Sequence, residues 1–280
     1  MPPGASVTSM DCALAVSSLT EFAQWLLDHL SAVMDWQTVV ESLPALLMGL
    51  VRTFELVAIS IAIGFTLAIP LALLRVSRNP FAWIPVYAYI YVMRGTPLLV
   101  QLYLIYYGSG QIPGVQDSFL WPFLKEAWYC AIFSFSLNTA AYQAEIFRGA
   151  IMGVPHGEVE AARAVGMSRA LLYRRIILPR AFRYALPAFA NEVILTLQAS
   201  AIASIVTIQE LTGTAQAIIH DTFAFYELYL TIAVIYLAIT YALVWAFRRL
   251  EYRLSGHLRD RPTARGVAAA PEPVQAAGLR

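Results

Sequence analysis

Chemistry in so apolar a chain has to come from its few polar side chains. Within or beside its long hydrophobic runs the charged candidates are Glu55, Arg94, Glu145 and Glu192, and the neutral ones are Gln101, Asn138, Gln143, Asn191 and Gln198. An ionised group at the centre of a membrane helix costs about 2.5 to 3.5 kcal/mol on insertion scales, so each is a functional candidate by default. Three acids against one base would bias a path through the protein negatively, and Coulomb attraction would favour a cationic solute there. Structural roles stand beside this one. Arg52 and Glu55 are three apart, as are Glu145 and Arg148, so both acids can pair on their own helix. Arg94 precedes Gly95-Thr96-Pro97, where it can satisfy carbonyls freed by a helix break. It can also snorkel to an aromatic belt of Trp83, Tyr87, Tyr89 and Tyr91, or meet a substrate carboxylate. Glu192 and Gln198 are six apart and do not share a helical face. The candidate translocation path is therefore Arg94, Gln101, Asn138, Glu192 and Gln198, with Glu192 the first to test.

Other chemistries find little support. An intramembrane enzyme needs convergent acids, His or a nucleophile, yet His29, His156, His220 and His257 all fall outside the hydrophobic runs. Cys12 and Cys130 have no ligand spacing around them, so no metal site is expected. The chain has no Gly-rich phosphate loop with a Lys, and ATP hydrolysis would have to occur elsewhere.

The elements that carry these residues are membrane helices. Of the 280 residues 59% are hydrophobic and 13% charged, against about 25% charged in soluble domains. Leu56–Leu74 and Leu228–Phe247 are uncharged runs of spanning length, about 20 residues. Ala127–Ala144 and Val193–Gln209 reach it if Glu145 and Glu192 are tolerated near their ends. Pro80–Gln116 crosses once, with a kink or break at Arg94–Pro97. About five transmembrane helices result, in an all-α integral membrane protein. Sixteen of the 19 basic residues follow the first span, lie between Arg148 and Arg183, or come after Phe247. All three segments share a face under five spans, which puts the N-terminus outside and the C-terminus in the cytoplasm. The opposite face receives acids such as Asp117, Glu210 and Asp221. A basic rim of this kind follows from insertion, and no nucleic-acid partner is expected. Leu19 to Val33 has the spacing of an amphipathic helix on the outer surface, and the segment 255–280 reads as a disordered cytoplasmic tail.

The inner loop from Gly149 to Leu186 is long enough to have structure of its own. Pro155 suits a helix start, and Gly166 is placed to end that helix in a left-handed cap. Ser168 can cap a second helix, Arg169–Leu178, that stops at Pro179. A helix with small Ala residues allows a partner's surface to approach closely; the alternative is a plain connector whose Arg residues enforce topology.

The loop carries a specific pattern: Glu160-Ala161-Ala162, three residues, Gly166, nine residues, then Ile176-x-Leu178-Pro179. It resembles the loop signature of permease subunits in bacterial ABC importers. Arg94-Gly95-Thr96-Pro97-Leu98-Leu99-Val100-Gln101, the segment Asn138 to Gly149, and Asn191-Glu192-Val193 are similar to the polar amino acid branch. With Ser118 to Leu124 they resemble the M-type subunits for histidine, lysine, arginine, octopine or nopaline. The likeness covers roughly residues 43–254, taken as a transmembrane domain of 44–254 after an outer segment of 1–43. It implies that Glu160, Ala161, Ala162 and Gly166 contact a cytoplasmic ATPase subunit, while Ile176, Leu178 and Pro179 fix the second loop helix. It further implies a dimer of ATP-binding subunits holding ATP and Mg, with no cofactor in this chain. A second homologous permease, a periplasmic substrate-binding protein and an amino acid or opine substrate complete the expected partners in the bacterial inner membrane. A permease for glutamine or glutamate is an alternative, as is a stand-alone secondary transporter, although no internal repeat is visible.

Overall fold

The computed structural model describes Glu21 and residues 35–254, so the expected outer amphipathic helix and the tail lie outside the described residues. Among the described residues every regular element is helical. Helix α1 (Trp36–Val76) begins where the Asp35 carboxylate accepts from the Gln37 amide at 3.0 Å and the Thr38 hydroxyl at 2.8 Å. It starts well before Leu56 and passes through the boundary placed at residue 43. Its 41 residues span about 60 Å, twice the hydrocarbon thickness of about 30 Å. Ser60, Gly64, Ala68 and Ala72 form a small-residue stripe on its buried side. Such a stripe lets a neighbouring backbone come close; a Cβ on Gly64 would overlap the Thr139 hydroxyl.

That neighbour is α5 (Ala127–Met152), which packs against α1, against α2 (Pro80–Gly95) and against α3 (Leu98–Tyr103, followed by the wide turn Leu104–Gly108). The short α4 (Trp121–Leu124) precedes it. Half of the 26 residues of α5 are buried, Ser134, Ser136, Thr139 and Gln143 among them. A helix wrapped by protein can be polar in part, and α5 is less apolar than α1 and α2, against which it packs. Three helical stretches among the described residues are long and apolar enough to cross a membrane: Trp36–Val76, Arg169–Val206 and Phe225–Leu254 (α10); the α2–α3 pair is apolar enough to be either one broken span or a re-entrant loop. That pair is bent by 105° at Arg94–Pro97, more than a right angle and well beyond a kink.

The loop expected on the cytoplasmic side contains α6 (His156–Ala164) and α7 (Arg169–Leu172). The second loop helix does not stop at Pro179. A π turn over Tyr173–Ile177, closed by the Leu178 amide on the Tyr173 carbonyl, leads directly into α8 (Leu178–Ala199). The wide turn explains the difference, because it relieves the proline ring of its clash with the carbonyl four residues earlier. A 3₁₀ stretch (Ser200–Val206) and α9 (Leu211–Thr222) complete the fold before α10. Three apolar clusters are strung along α1, around Leu46 with Leu211 and Leu228, Leu56 with Phe135 and Val206, and Ala68 with Phe147 and Ile177.

Candidate coupling and translocation sites

The loop expected to couple to a partner is built by local chemistry. Glu158 in the first turn of α6 and Arg163 in the last complement the helix dipole. Gly166 adopts φ +79°. Its amide bonds to the Arg163 carbonyl at 2.9 Å, and the Met167 amide reaches the Ala162 carbonyl at 3.1 Å. These two bonds are the Schellman pattern that ends a helix at a left-handed residue. Ser168 then accepts from the Leu171 amide at 3.4 Å, starting α7 as its position suggested. The expected contact residues divide. Glu160, Ala161 and Gly166 are exposed, whereas Ala162 is 6% exposed and packs inward, so it supports the loop and offers no docking surface. Ile176 and Leu178 are partly buried and Pro179 is exposed. One contact was not foreseen: Arg180 on α8 pairs with Glu158 on α6 at 3.1 Å and ties the projecting helix to the long one behind it.

The polar residues inside the helices fall into different roles from those their composition suggested. Arg52 meets Glu55 at 3.1 Å, and Arg148 Nε donates to Glu145 at 2.6 Å, so both local pairs form. Glu192, 7% exposed, lies within electrostatic reach of Arg94. Two of the three acids therefore pair with an arginine on their own helix and the third feels the charge of Arg94, so the negative bias inferred from counting charges is much reduced.

Carbonyls freed at the α2–α3 break are satisfied by Gln101 and Asn138 and not by Arg94. Gln101 Nε2 donates to the carbonyls of Met93 at 2.8 Å and Thr96 at 3.1 Å, and to the Thr96 hydroxyl at 2.8 Å. Asn138 donates to Gln101 Oε1 at 3.1 Å and to Met93 at 3.2 Å. These two residues brace the bend from within, and their amide nitrogens are committed to it. A Gln101→Leu chain should lose about 2 to 3 kcal/mol of stability, read as an earlier thermal unfolding of the purified protein in detergent. Arg94 instead lies over the Tyr142 ring at 4.9 Å. With Tyr87, Ile90, Tyr91 and Glu145 it lines an open cleft of about 340 Å³. Tyr89 leaves the expected aromatic belt, its hydroxyl donating to the Leu137 carbonyl at 2.6 Å. Gln198 is exposed, farther along α8 than Glu192 and on another face.

Glu210 was read as an acid of the outer face and is fully buried. It caps α9, accepting from the amides of Thr212 at 3.0 Å and Gly213 at 2.8 Å. It also accepts from the hydroxyls of Thr53 at 3.3 Å and Tyr236 at 3.2 Å. Thr53 in turn accepts from the Leu211 amide at 3.0 Å. One carboxylate thus joins α1, α9 and α10. The signal available in the sequence was an acid immediately before an apolar helix, the position of an N-cap.

A bundle of apolar helices with a capped two-helix projection defines a membrane permease subunit. The sequence profile of the binding-protein-dependent transport system inner membrane component matches residues 60–256, and the chain belongs to that family. The octopine transport system permease protein OccM of Rhizobium meliloti is 47% identical over 219 residues, 78% of this chain and 88% of the relative. The nopaline permease protein NocM of Agrobacterium fabrum is 46% identical over 229 residues, 81% and 95% of the two chains. The histidine/lysine/arginine/ornithine permease protein HisM of Escherichia coli is 43% identical over 216 residues, 77% and 91%. Among solved structures, an amino acid ABC transporter crystallised with histidines matches at TM-score 0.71 and 34% identity, covering 79% of this chain and 99% of the other.

Proposed function

We propose that this chain is the permease of an ATP-driven importer that carries a basic amino acid or an opine across the bacterial inner membrane. It crosses five times, with its N-terminus outside and its C-terminus in the cytoplasm. α6 docks on a cytoplasmic dimer of ATP-binding subunits, which holds ATP and Mg. A second, homologous permease completes the pore, and a periplasmic binding protein delivers the substrate. The observation that carries this reading is the route from α6 to Glu192: the exposed face of Glu160, Ala161 and Gly166 is tied through Glu158 and Arg180 to the helix bearing that acid. The substrate class follows the names of the relatives. It is compatible with Arg94 and Glu192, because a basic amino acid carries a side-chain cation in addition to its α-carboxylate, and Glu192 supplies the opposite charge that the extra cation needs.

Reconstitution of the assembly in proteoliposomes tests the proposal. ATP-dependent uptake of arginine, histidine or octopine is the expected result; uptake without the ATP-binding subunits would support a secondary transporter instead. Glu192→Gln should lower arginine uptake about tenfold or more while sparing a neutral amino acid. Equal losses for both would show that Glu192 is structural.

A further inference from the structure

We propose that the cytoplasmic end of α10 is a binding site for the headgroup of an anionic phospholipid. Trp245, Arg248, Arg249, Tyr252 and Arg253 line a shallow cavity of about 430 Å³. Their spacing places all five on one face of the helix. The two aromatic residues are 59% and 64% exposed, as suits rings standing at headgroup level. Arg249 lies over the Trp245 ring at 5.7 Å, a stacking that fixes the guanidinium beside the ring. Among the described residues no carboxylate forms an ion pair with Arg248, Arg249 or Arg253. Glu251 is the acid nearest in sequence, and the 3.6-residue period carries it off this face.

The rest of α10 shows what this face meets. Leu228 and Ile232 near its start are its buried residues, while Val234, Leu237, Tyr241 and Trp245 are exposed in succession. An outward apolar surface that ends in three arginines and two aromatic rings matches the profile of a phospholipid, acyl chain first and phosphate last. Guanidinium forks fit phosphate oxygens in pairs. A basic face that served topology alone would need neither the forks nor the stacking.

The inference rests on α10 being a membrane helix, not on the substrate. The test is therefore run without amino acid: the purified assembly, in neutral detergent micelles doped with phosphatidylcholine and cardiolipin, is weighed by native mass spectrometry. Wild type should retain cardiolipin. R248Q/R249Q/R253Q should bind it at least about tenfold more weakly, with phosphatidylcholine unchanged, since each arginine near an anionic surface is worth about fivefold. R248K/R249K/R253K should fall between the two. If the triple variant does not assemble, Arg248→Gln alone should weaken binding about fivefold. Equal cardiolipin retention in wild type and variants overturns the proposal. So does loss of the ATP-binding subunits with lipid retention intact, which would assign the face to a protein partner.

Discussion

A Gly166→Val chain should insert into the membrane in normal amount and yet lose about nine-tenths of its uptake, together with its stimulation of ATP hydrolysis by the partner. The residue occupies the left-handed region, where a side chain costs about 1 to 2 kcal/mol and a β-branched one more. A Cβ at this position meets nothing within 4 Å, so the penalty is one of backbone conformation and not of collision. Relieving it would open the bonds from Gly166 to Arg163 and from Met167 to Ala162, turning α6 away from its docking orientation. About 1.4 kcal/mol is a tenfold change in the docked population. Gly166→Asn provides the contrast, because asparagine tolerates this conformation, and most uptake should survive. Wild-type uptake by the valine variant would falsify the coupling assignment.

The second large effect is expected at Glu210. Glu210→Ala should cost about 3 kcal/mol or more, since it removes a helix cap, leaves the amides of Thr212 and Gly213 without a buried acceptor and breaks the bond from the Tyr236 hydroxyl. Thermal unfolding of the purified protein in detergent should fall by several degrees. Glu210→Gln retains one acceptor oxygen and should recover about half of the loss. Asp221, whose side chain is 82% exposed at the end of α9, is the control, and its alanine variant should unfold like the parent. Identical unfolding of the Glu210 and Asp221 variants would show that the buried node contributes little.

Features governed by near neighbours in the chain were legible from the residues. Gly166 and Ser168 act on backbone groups within five positions of themselves, and Arg52 with Glu55 or Glu145 with Arg148 needs only helical periodicity. Glu210 was not legible in the same way, because Thr53 lies 157 positions away and a lone acid between apolar runs looks like a solvated turn. Gln101 and Asn138 stand out in the sequence as polar residues within apolar runs. Their role was mistaken because the carbonyls they satisfy come free only once α2 and α3 fold back at 105°. Pro179 misled for a related reason: proline ends an ordinary α-helix, and the π turn that absorbs it carries no marker of its own in the sequence.

That turn makes one mechanical part of what looked like two. From Arg169 to Val206 the chain is a single helical rod of 38 residues, and a left-handed residue lies just beyond each end, Gly166 at φ +79° and Thr207 at φ +67°. With no joint between them, a push on the loop would be conveyed as leverage. A tilt of about 5° about the Gly166 end would displace Glu192, about 35 Å along the rod, by roughly 3 Å. Sideways travel of that size is comparable to the length of an ion pair, enough to change the field in which Arg94 holds the Glu192 carboxylate.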